Sequence, residues 1–68
     1  MIGREQQFIG NYSIVVDTLS LNLYFIYLLN RDGTKLWGLL SLTSEEAQEI
    51  RAEAAHSVFK TLMELGKN

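Results

Sequence analysis

"LNLYFIYLLNRDGTKLWGLLSL", residues 21–42, decides the fold. Two segments that are apolar at nearly every position flank four polar residues. The polar centre has turn chemistry: Asn30 stands first, Asp32 third and Gly33 fourth. That order suits a type I turn followed by a left-handed glycine, the three-residue hairpin loop with a bulge. The flanks therefore read as two antiparallel strands, the first over about Leu21–Leu29. The turn sets an expected register of Leu29 near Thr34, Tyr27 near Leu36, Phe25 near Gly38 and Leu23 near Leu40. In that register the Phe25 ring covers a glycine that has no side chain of its own.

Successive side chains of a strand point to opposite faces. Leu21, Leu23, Phe25 and Tyr27 thus share a face with Leu36, Leu40 and Leu42, while Tyr24, Ile26, Leu28, Trp37 and Leu39 point the other way. An antiparallel sheet with one wet face alternates apolar with polar residues. Here both faces look like core.

Downstream, Thr43 and Glu46 form a threonine-x-x-glutamate capping box. Glu45, Glu46 and Glu49 crowd the positive end of the helix dipole, with Lys60 nearer the other end and Lys67 beyond it. Gly66 is placed as a C-terminal cap. At 100° per residue Ala47, Ile50, Ala54, Val58, Leu62 and Leu65 share one stripe, widened by Ala55 and Phe59. A helix of about 22 residues is about 33 Å long and covers one sheet face only. The expectation is that it covers the face of Phe25 and Tyr27, leaving Tyr24, Ile26, Leu28, Trp37 and Leu39 without cover.

Upstream, residues 1–6 are polar and read as a loose arm. Phe8, Tyr12, Ile14 and Val16 then fall at even spacing, a first strand from Phe8 to Val16. A change of direction follows within Asp17–Asn22, unmarked by glycine or proline. The whole reads as one α+β domain over 1–68: a flexible arm at 1–6, a three-stranded antiparallel sheet at 7–42, and a helix at 43–66 packed on one sheet face, in the order β-β-β-α.

A domain of 68 residues has a small core. Such domains add disulfides, a metal or a second subunit. With no cysteine and one histidine, self-association is the remedy left. The composition, 47% hydrophobic and 21% charged with net charge -2, is that of a folded and mildly acidic protein. Residues 12–29 carry only Asp17 as a charge, but Ser13, Thr18, Ser20 and Asn22 make them a poor membrane span, so a membrane-associated subunit ranks last. The opening "MIGREQQF" lacks an apolar signal region, which points to the cytoplasm. Small size, an initiator methionine and an acidic surface suit a bacterial or phage accessory factor.

Catalytic and metal chemistry find few residues. Zinc takes three or four ligands, and His56 stands alone among acids and lysine as a solvated histidine. Ser57 beside it diverges on a helix, so the pair makes no nucleophile and base. No catalytic, metal or cofactor-binding residue is assigned, and the protein is read as a non-enzyme. Glu45, Glu49 and Glu53 form an acidic ridge able to dock a basic partner surface. Arg51 projects from the apolar stripe among Ala47, Ala54 and Ala55; it either sends its head to water or bridges to Asp17 or a partner's acid. The expected interface is therefore Tyr24, Ile26, Leu28, Trp37 and Leu39 with Arg51 and Phe59, joining two copies in a homodimer that contacts another protein.

The strand-strand-strand-helix order resembles small homodimeric single-strand-binding modules of the positive-cofactor-four and whirly kind. The resemblance implies an alternative role in binding single-stranded nucleic acid, with Tyr24, Tyr27 and Trp37 as stacking platforms. Arg31 and Lys35 are the basic residues near the hairpin.

Overall fold

The computed structural model describes residues 1–66. It is an α+β fold in which an antiparallel sheet carries a C-terminal helix on one side. The strands are β1 (Gly3–Ile9), β2 (Tyr12–Ser20), β3 (Leu23–Leu29) and β4 (Lys35–Ser41), followed by α1 (Ser44–Leu65). The sheet is a meander in the order β1-β2-β3-β4, so each strand pairs with its neighbour in sequence.

Four strands replace the expected three, because the stretch expected as an arm is β1. The division falls at Gly10–Asn11, a two-residue turn between the paired Ile9 and Tyr12. Gly10 has φ 59°, at the first central position, where type II′ hairpin turns need glycine. A Cβ at Gly10 would also lie 2.7 Å from Cδ1 of Leu62 on the helix, whose side chain would have to shift. The expected single strand from Phe8 to Val16 is thus two strands folded back on each other.

The second reversal lies at Leu21–Asn22, inside the expected interval, with a bulge between Thr18 and Ser20. Asp17 is consequently in mid-strand. The third is the loop read from "NRDG". Gly33 has φ 88° and its N–H donates to the Asn30 carbonyl at 3.0 Å, while the Asn30 N–H donates to the Thr34 carbonyl at 2.8 Å. Asp32 Oδ1 accepts from the Thr34 N–H at 2.9 Å, and the Thr34 hydrogen bonds hold its carboxyl below the usual range.

The β3–β4 register differs from the expected one by two residues. Leu29 pairs with Lys35, Leu36 is extra in a bulge, and Leu28 then pairs with Trp37, Tyr27 with Gly38 and Phe25 with Leu40. A slide of two preserves which residues share a face. Phe25 still covers Gly38, but diagonally: a Cβ there would lie 2.6 Å from the Phe25 ring.

Helix α1 starts at Thr43, whose side chain accepts from the Glu46 N–H at 3.1 Å. The Thr43 N–H goes to Ser41 Oγ at 3.4 Å, which links the end of β4 to the cap. Gly66 is the C-cap in a right-handed conformation, φ -70°, and its N–H donates to the Leu62 carbonyl. Lys67 lies outside the described residues.

The face that the helix covers is the opposite of the one expected. Ile14 and Val16 of β2 and Ile26 and Leu28 of β3 form the core with Ala47, Ala54 and Val58, joined by Tyr24, Trp37, Ile50 and Leu62. Ile26 is 0% exposed. The reason lies in β2. On the other face it presents Ser13 and Asp17 beside Val15, already closed over by Arg4, Gln6 and Tyr27, whose hydrogen bonds to Asp17 and Ser13 leave no apolar bed for a helix. The covered face has only hydrocarbon at its centre, and fully burying each of Ile14 and Ile26 contributes about 1.5–3 kcal/mol. Small residues Ala47 and Ala54 bring the helix close to it.

Candidate interaction surface

The side of the sheet away from the helix carries Arg4, Gln6 and Phe8 of β1, Ser13, Val15 and Asp17 of β2, Leu23, Phe25, Tyr27 and Leu29 of β3, and Gly38 and Leu40 of β4. It has two halves. Over β1 and β2 the surface is polar and satisfied. Arg4 faces Asp17 across the strands and grips it with two hydrogen bonds, Nε to Oδ1 at 2.7 Å and Nη2 to Oδ2 at 3.1 Å. The Tyr27 hydroxyl donates to Asp17 Oδ2 at 2.9 Å, and Gln6 donates to Ser13 Oγ at 3.2 Å. Among the described residues no buried side-chain nitrogen or oxygen lacks a partner.

This network moves three ionisations. The Arg4 hydrogen bonds hold the Asp17 carboxyl below the ordinary aspartate range, against the opposing effect of burial, with Tyr27 helping. Burial raises Tyr27, and its hydrogen bond to Asp17 raises it further. Arg4 is raised in turn by Asp17. Lys35 lies on this side too, its Nζ 4.6 Å from the Phe25 ring centroid and 4.8 Å from that of Tyr27. The two rings are 4.9 Å apart.

Over β3 and β4 the surface is apolar and open. Leu40 is 62% exposed, Leu36 and Leu42 are also exposed, and Leu23 and Phe25 are half-buried. Leu39, on the helix side of β4, is 52% exposed. With Trp37, Ile50, Glu53 and Ala54 it lines a shallow cavity of about 260 Å³ at the β4 margin of the helix. A second, solvent-open notch of about 480 Å³ lies between the Gly10–Asn11 turn and the Asn30–Gly33 loop, with Phe8 and Arg31 on its walls.

Most of the expected interface is elsewhere. Ile26 and Leu28 are buried under the helix, and Tyr24 and Trp37 pack against the same core. The cover that seemed missing is α1 itself. Leu39 alone of the five strand residues keeps an open side chain. Phe59 is 57% exposed on the helix, beyond the edge of the stripe it was expected to widen.

Arg51 reaches neither Asp17, which Arg4 holds, nor water alone. It donates to Gln48 Oε1 at 2.7 Å and to Gln7 Oε1 of β1 at 2.8 Å. Gln48 in turn donates to Glu5 at 3.1 Å, so these polar contacts tie the helix to β1. Glu45, Glu49 and Glu53 are exposed, as is His56. No described helix is long and apolar enough to cross a membrane.

Sequence reasoning missed Arg4 and the apolar rim of β4. Arg4 had been read as part of an arm; the Gly10–Asn11 pair was the signal that would have folded it onto Asp17. No protein-family model, curated protein or solved structure matches this chain.

Proposed function

We propose that this is a small non-enzymatic interaction protein that forms a homodimer through its apolar β3–β4 surface and acts on another protein by contact. The observation that supports the reading is the open hydrocarbon there: Leu36, Leu40 and Leu42, beside the half-buried Leu23 and Phe25, are exposed among the described residues. A contiguous apolar patch of this kind marks an interaction site or an aggregation hazard. Burying three such side chains contributes about 1.5–3 kcal/mol each. That rivals the total of about 3–5 kcal/mol that a core of this size supplies.

The acidic ridge of Glu45, Glu49 and Glu53 is exposed on the helix, with Glu53 reaching the β4 margin beside Leu39, and offers charge to a basic partner. The nucleic-acid reading gains less support, since Tyr24 and Trp37 pack against the core under the helix and Lys35 lies over the rings of Phe25 and Tyr27. Light scattering on a gel-filtration column tests the proposal. A species of twice the 7.8 kDa chain mass is expected; a monomer at every concentration would remove the reading.

A further inference from the structure

We infer that β4 is the seam of the dimer: it pairs antiparallel with β4 of a second copy about a two-fold axis at Gly38, making one eight-stranded sheet with both helices on the same side. The inference rests on the self-association reading above and gives it a geometry.

The two edges of the sheet differ in a way that selects β4. An edge strand presents unpaired N–H and C=O groups and invites another strand, and proteins guard such edges with charge, bulges or proline. β1 is guarded: Arg4, Glu5, Gln6 and Gln7 run consecutively along it, all exposed. β4 has Lys35 at its start and a bulge at Leu36, then no charge and no proline through Ser41. Its exposed leucines lie on both sides of the strand, Leu40 on one and Leu39 on the other. Adding a strand would satisfy its free backbone groups and set the leucines on each side of β4 beside apolar neighbours of the second copy.

The register follows from the sequence around Gly38. A two-fold axis normal to the sheet keeps each side chain on its own face, so opposed residues must have positions of equal parity. Centred on Gly38, Leu36 meets Leu40 of the second copy and Trp37 meets Leu39. Apolar residues oppose apolar ones on both faces, and the one charge, Lys35, lies beyond the bulge at Leu36, where the regular alternation of sides ends. Moving the axis to Leu39 sets Trp37 against Ser41, and moving it to Trp37 sets Gly38 against the bulged Leu36. Gly meeting Gly at the axis leaves a bare strip, which the Phe25 rings already cover on the open side. On the helix side, the shallow cavity of Trp37, Leu39, Ile50 and Ala54, with the exposed Glu53 at its rim, stands where Leu39 of the second copy arrives.

The chain has no cysteine, which makes a cross-linking test clean. Opposed residues have Cα atoms about 4.5–5.5 Å apart, within disulfide range. Positions 36 and 40 of one strand are about 13 Å apart and cannot bridge within a protomer. The double variant Leu36→Cys/Leu40→Cys is expected to oxidise to a covalent dimer, while Leu36→Cys alone stays uncross-linked. Amide exchange of the unaltered protein is the second measurement. The outward amides of β4 should slow roughly tenfold or more from dilute to dimeric conditions, while those of β1 do not change. A dimer by light scattering with unprotected β4 amides and no cross-link overturns the seam and leaves self-association standing. Faster cross-linking of the single variant overturns the register, and a monomer at all concentrations overturns both readings.

Discussion

The two sides of the sheet draw on similar side chains from β3, yet one is sealed under a helix and the other is open. Leu23, Phe25 and Tyr27 are as apolar as Tyr24, Ile26 and Leu28. What separates the sides is β2, which lays Ile14 and Val16 on one and Ser13 and Asp17 on the other. One carboxylate in the middle of a strand therefore decides where a 22-residue helix docks. Asp17 is buried but paired with Arg4 and Tyr27, and a helix laid over that pair would displace Arg4 and leave the carboxylate unpaired, which costs more than buried hydrocarbon returns.

The largest test of this contrast is on the sealed side. Ile26→Ala should lower stability by about 2–5 kcal/mol, read by urea denaturation, because the site is enclosed and cannot collapse fully. A loss below 1 kcal/mol would show that the helix does not seal that face.

A middle effect belongs to the residue that sets the contrast. Asp17→Asn should cost about 1 kcal/mol, at the low end of hydrogen bonds to charged groups because Arg4 is half in water. Since the folded carboxyl titrates below its unfolded value of about 3.9, its contribution is full above that value and fades as pH falls through the lower folded one. The variant's stability should thus depend less on pH on the acid side. Tyr27 works in the opposite sense. Its folded value is raised, so its contribution is full below an unfolded value of about 10 and is lost as pH rises through the folded one. The smallest effect is expected on the open side away from β4: Phe8→Ser, at a residue 76% exposed, should change stability by less than about 0.5 kcal/mol.

The local signals were legible wherever chemistry is concentrated in a few positions. Thr43 and Glu46 marked the start of the helix, and "NRDG" marked the loop down to the left-handed Gly33. The strand faces were legible too, since a two-residue slide of β4 leaves parity unchanged. Which face meets the helix was not, because that choice depends on Asp17, and a polar first stretch without its turn left Asp17 with no arginine. Gly10 and Asn11 carry the turn, but their neighbours Phe8 and Tyr12 continue the alternating pattern across it, so periodicity concealed the reversal.

Asp17 also works as a check digit for the alignment of the first strand. Sliding β1 by two residues would set Gln6 or Ile2 opposite the acid in place of Arg4, removing the cation that holds the carboxylate with two hydrogen bonds. Only one threading of the N-terminal nine residues satisfies it. A strand with exposed charges and little hydrocarbon of its own thus has its position specified three times over, by the Gly10–Asn11 turn, by the Arg4–Asp17 pair and by the polar contacts of Glu5 and Gln7 with the helix.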